Sequence, residues 1–78
     1  MSLAINEQQT IAKQVRGKLR ANHVTQRELA DSVGMSEQAL SNKLRALKNF
    51  TLRDVSRIAD FFDVSVDSLL GREPLEVK

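Results

Sequence analysis

Apolar residues recur at helical spacing along the chain, and short polar residues and glycines divide the pattern into five segments. Ile11, Val15 and Leu19 stand four residues apart and mark one face of a helix. Asn6, with Gln9 three residues on, has the form of a capping box, so this helix is predicted to start at Asn6 and to end near Asn22-His23. Thr25 with Glu28 repeats the signature and opens a second segment, whose stripe is Leu29, Ala30 and Val33 and whose stop is Gly34. Ser36 caps a third segment, with Ala39, Leu40, Leu44 and Leu47 expected inward. Thr51 with Asp54 opens a fourth, with Leu52, Val55, Ile58, Ala59 and Phe62 as its apolar stripe. Ser65 caps a short fifth segment that carries Val66, Leu69 and Leu70 and ends at Gly71. Arg72 to Lys78 read as a tail. The expected fold is all-α: a compact five-helix bundle forming one domain over residues 1–78, with its core at about 6–71.

Composition narrows the possible chemistry. A chain of 78 residues has room for one small domain. It has no cysteine and one histidine, His23, which excludes disulfides, thiolate metal sites and a zinc site built on that histidine alone. No Ser-His arrangement and no Gly-rich phosphate loop is present, so neither catalysis nor a cofactor is expected. No apolar run is long enough to cross a bilayer, and Met1-Ser2-Leu3-Ala4-Ile5 lacks the basic start of a signal peptide, so a cytoplasmic location is expected.

The net charge of +2 is unevenly spread. Residues 1–48 carry eight Lys or Arg against four acids, whereas residues 49–78 carry four against six. A basic front half and an acidic back half suit a face for a polyanion, although charge alone favours an ordinary solvated helix surface.

Thr25 to Arg45 is the informative stretch. A helix ends at a glycine, a very short turn follows, and a second helix is opened by serine, which is the sequence form of a helix-turn-helix, here at about residues 25–47. Ala30 is small where the two helices cross, Gly34 permits the turn geometry, and Met35 is apolar to plug the corner. With Leu40 and Leu44 inward, Glu37, Gln38, Ser41, Asn42 and Arg45 are left on outer surfaces. Amide side chains pair with adenine through two hydrogen bonds, and arginine pairs with guanine in the same way.

The segment TQRELADSVGMSEQALSNKL resembles the helix-turn-helix of the phage lambda repressor and Cro family, also called Xre-like. Downstream, FTLRDVSRIADFFDVSVDSLLG is similar to that family's fourth and fifth helices, so the resemblance covers about residues 7–71. It implies sequence-specific binding of double-stranded DNA by a transcriptional regulator, a repressor being the expected kind. Glu37, Gln38, Ser41 and Asn42 match positions that face base edges. Thr25, Gln26 and Ser36 match positions on the DNA backbone, Gln26 also as a brace for the recognition helix. Arg45, Lys48 and Asn49 lie where the chain leaves the groove and suit phosphate contacts.

Two positions depart from the family pattern. The second inward apolar residue of the recognition helix commonly stands three positions after the first, where this chain has Lys43, and Leu44 follows at four. Lys43 is thereby expected to be free to reach a phosphate. Glu37 brings a negative charge towards DNA, and two readings of it stand: acceptor for cytosine N4, or stabiliser of the helix start. The resemblance further implies a homodimer on a palindromic operator. Phe50, Phe61 and Phe62 read as core or interface, and because adjacent phenylalanines cannot share one helix face, Phe61 is a candidate dimer contact, together with the fourth and fifth helices and the tail. Domains of this fold also serve as antitoxins or adaptors, and the acidic back half keeps a protein partner open as the alternative.

Overall fold

The structure, a computed structural model, describes residues 5–71, with side chains from Glu7 onward. Five helices follow one another: α1 (Ile5–Ala21), α2 (Gln26–Val33), α3 (Glu37–Leu44), α4 (Leu52–Phe62) and α5 (Val66–Leu69). There is no strand among the described residues. The expected tail at Arg72–Lys78 lies outside them.

Each helix start after α1 carries the cap its sequence announces. The hydroxyls of Thr25, Ser36, Thr51 and Ser65 accept the backbone N–H three residues on, at Glu28, Ala39, Asp54 and Ser68. At Thr25 and Thr51 the acidic side chain also accepts the cap residue's own N–H, closing the capping box. The first helix differs from expectation. It already includes Ile5, so Asn6 lies inside α1 rather than capping it.

The helix ends share a second device. His23, Gly34, Ala46 and Asp63 all adopt the left-handed conformation, with φ of 56°, 78°, 64° and 57°. The next N–H then reaches back five residues: Val24 to Leu19, Met35 to Ala30, Leu47 to Asn42 and Val64 to Ala59. This is the Schellman closure, in which the residue after the left-handed one is commonly apolar and packs back on the helix. Val24, Met35 and Val64 do so and lie against the core. Leu47 does not; it is 62% exposed, contrary to its expected inward position. Leu52 is likewise turned out at the first position of α4, where Val55, Ile58 and Ala59 suffice to fill the interior.

The core is built from Ile11, Val15 and Leu19 of α1, Leu29, Ala30 and Val33 of α2, Leu40 and Leu44 of α3, Val55, Ile58 and Ala59 of α4, Leu69 of α5, and Phe50 from the α3–α4 loop. α1 packs against α3, α4 and α5, and α2 against α3 and α4. At Gly71, a Cβ would stand 2.8 Å from the Thr10 methyl, so the end of the bundle crosses α1 closely enough to require glycine there.

One buried polar residue fixes the loop that carries Phe50. Gln8 lies three residues before Ile11, on the buried face of α1. Its amide donates to the Phe50 carbonyl at 2.9 Å and accepts the Phe50 N–H at 2.6 Å. Removing it orphans two backbone groups inside the fold. Gln8→Ala is expected to destabilise the protein by about 2–4 kcal/mol. Urea denaturation monitored by circular dichroism measures this, and a loss below about 0.5 kcal/mol would mean that water replaces the amide.

Candidate nucleic-acid interface

α2 and α3 form the helix-turn-helix, joined by Gly34, Met35 and Ser36. Leu40 and Leu44 anchor α3 to the core. Its other face presents Glu37 and Gln38 exposed, with Ser41 and Asn42 part-exposed one turn on. The Gln38 amide donates to the Asn42 side-chain carbonyl at 3.0 Å, an i,i+4 bond along the surface of the helix. That bond consumes one Gln38 N–H and the Asn42 carbonyl. The Gln38 carbonyl and the Asn42 NH2 remain to meet a partner's donor and acceptor. Glu37 occupies the first helical position, where its charge favours the helix dipole.

Helix starts and exposed cations flank α3 along the chain. Thr25 and Ser36 are exposed, and each hydroxyl oxygen is used as an N-cap acceptor, which leaves its O–H to donate elsewhere. Arg45, Lys48 and Asn49 are exposed in the stretch leaving α3. Gln26 is half-buried beside Arg20, and the two line a notch with Arg16, Leu19 and Val24. Arg20 is exposed near the end of α1, and its position beside Gln26 depends on how α1 ends against α2, which no local spacing encodes.

Lys43 is not free, which corrects the sequence expectation. Its ammonium pairs with the Asp54 carboxylate, and the two side chains are only 18% and 14% exposed. The position where the family commonly has an apolar residue is thus covered by an ion pair to α4. Arg16 is also engaged, donating to the Leu44 carbonyl at 2.6 Å and so satisfying an orphan acceptor at the end of α3. Arg57 does the same for α2, reaching the Val33 carbonyl at 3.2 Å.

A second surface feature lies between the end of α2 and α4. Asp31, Ser32, Val33 and Gly34 of the α2 end, with Arg57, Asp60 and Phe61 of α4, line an open groove of about 480 Å³. Phe61 is 38% exposed there and packs edge-on against Phe62, with ring centroids 4.9 Å apart. Phe62 in turn rests on the core, so the exposed ring is held in place.

Burial raises the pKa of Asp54, but the Lys43 ammonium, the Thr51 N–H and the Thr51 hydroxyl together outweigh that effect and hold the carboxyl below its ordinary value. A depressed carboxyl contributes stability that is present above the unfolded pKa, about 3.9, and is lost as pH falls through the folded value. Urea midpoints measured between about pH 5 and pH 2 are expected to fall more steeply for the native chain than for Asp54→Asn. Parallel slopes would remove Asp54 from the acid-sensitive groups.

No helix of the described residues is long and apolar enough to cross a membrane, and no cluster of potential metal ligands occurs among them. No curated protein and no solved structure gives a match to this chain. A family model described as helix-turn-helix matches residues 13–69, spanning α2 to α5 and most of α1. With its turn, caps and five helices in the matching order, the chain belongs to the Xre-like, lambda repressor-like helix-turn-helix family of DNA-binding transcription regulators.

Proposed function

We propose that the protein is a sequence-specific repressor that binds double-stranded DNA as a homodimer, with α3 in the major groove of each half of a palindromic operator. The observation that carries this reading is the Gln38–Asn42 pair, two amides bonded to each other on the exposed face of a capped, core-anchored helix. In this arrangement Glu37, Gln38, Ser41 and Asn42 face base edges. Thr25, Gln26 and Ser36 donate to phosphates at the helix starts, and Arg45, Lys48 and Asn49 hold the strand beyond α3. Arg20, beside Gln26, joins them. A cytoplasmic location and the absence of catalysis belong to the same reading.

A single eight-residue helix touches too few base pairs to select one genomic site, so two copies at half-sites about 34 Å apart are required. Phe61 is the apolar contact proposed for the dimer, because it is exposed, rigidly held and set in a groove with charges of both signs.

Selection from a random duplex pool at near-physiological salt is the direct test. Enrichment of a pseudo-palindrome supports the proposal, and binding that merely vanishes with rising salt, with no enriched sequence, overturns it. On the enriched operator, Asn42→Ala is expected to cost about 1–3 kcal/mol and to relax preference at one base position. Arg45→Ala is expected instead to weaken binding to all sequences and to lower the salt slope by roughly one unit. Phe61→Asp is expected to halve the sedimenting mass of the native dimer. An unchanged dimer mass places the interface elsewhere and leaves the groove to another protein.

A further inference from the structure

The last turn of the recognition helix is held by polar groups from two other helices. On one flank Arg16 of α1 donates to the Leu44 carbonyl. On the other, Lys43 meets Asp54 near the start of α4. α3 rests its apolar stripe on α1 and α2, whereas its packing against α4 is slight. The Lys43–Asp54 pair is therefore the polar tie between α3 and α4 among the described residues. The anchor is stiff, because the same carboxylate oxygen also accepts the Thr51 N–H and closes the capping box of α4.

Such a tie governs rotation. A short helix seated on one stripe of leucines resists translation better than roll about its own axis. At a radius of about 5–6 Å, a roll of about 20° moves a side-chain tip by about 2 Å. That exceeds what a hydrogen bond to a base edge tolerates. Gln38 and Asn42 share the helix with Lys43 and turn with it.

We propose that Lys43 and Asp54 are a positioning pair that fixes the roll of α3, and so determines which base edges Gln38 and Asn42 reach, while neither residue touches DNA. This rests on the base-reading function proposed above. The role contrasts with that of a surface lysine on a phosphate, which would add one unit of salt dependence and no sequence preference.

The experiment uses the full chain and the operator enriched from the random pool, with a scrambled duplex as control. Lys43→Met keeps the aliphatic stem, and Asp54→Asn keeps an acceptor for the Thr51 N–H. Thermal melts confirm that each variant is folded. Each variant is expected to lose about tenfold in preference for operator over scrambled DNA. The salt slope on scrambled DNA is expected to be unchanged, and the double variant to be no worse than either single one. Lys43→Arg, which retains the pair, is expected to restore the preference. A slope lower by about 0.9 for Lys43→Met, with Asp54→Asn binding as well as or better than the native chain, overturns the proposal and makes Lys43 a phosphate contact. Asp54→Asn decides the matter alone if Lys43→Met does not fold, because loss of an acid strengthens binding unless the acid positions the helix. A native chain that enriches no operator overturns the base-reading function itself, a result the variants cannot mimic.

Discussion

A helix of eight residues does not hold together in water, because the cost of nucleation exceeds what so few hydrogen bonds return. Both helices of the helix-turn-helix have that length. Everything else depends on how their ends are closed. At each N-terminus a serine or threonine accepts an orphan N–H. At each C-terminus a left-handed residue lets the chain fold back on itself, and an arginine from another helix meets a terminal carbonyl, Arg57 for α2 and Arg16 for α3. The caps thus define the turn, and the turn sets the angle at which α3 leaves α2. The exposed face of α3 is set by terminal chemistry as much as by the core.

The local part of this chemistry is readable in the sequence. Thr25, Ser36, Thr51 and Ser65 announce their helices because a cap and its target lie three residues apart. The left-handed positions are less legible. Gly34 signals itself, but His23, Ala46 and Asp63 carry a Cβ and adopt the same conformation at a cost of about 1–2 kcal/mol, which the surrounding closure must offset. Leu47 and Leu52 illustrate the limit of periodicity: both continue an apolar spacing past the point where the helix has ended or before it has properly begun. Asn6 fails in the opposite way, since a good capping residue is also tolerated inside a helix.

The long-range part was not legible, for a definite reason. Gln8 with Phe50, Arg16 with Leu44 and Arg57 with Val33 join residues 42, 28 and 24 positions apart. Such pairs exist only once the helices are docked, and nothing in the spacing of either partner announces the other. Gln8 did leave a trace, as a polar residue in register with Ile11, Val15 and Leu19. Arg16 and Lys43 left none, because a cation on a helix looks the same whether it faces water, a carbonyl or a carboxylate.

This last point changes the meaning of the charge asymmetry. By charge count, the basic front half holds every cation in reserve for a polyanion. In the folded chain, Lys43 is neutralised by an acid from the back half, and Arg16 is turned onto the end of α3. The two halves are not separate faces, and the count of bases overstates the field available to DNA. Among the cations left exposed, Arg45 and Lys48 follow α3 in the chain, and Arg20 lines a notch with Gln26 of α2. That division suits a reader of sequence. Under the function proposed above, charges at the rim would supply affinity for any duplex, while the uncharged amides Gln38 and Asn42 would form bonds whose strength depends on the base they meet.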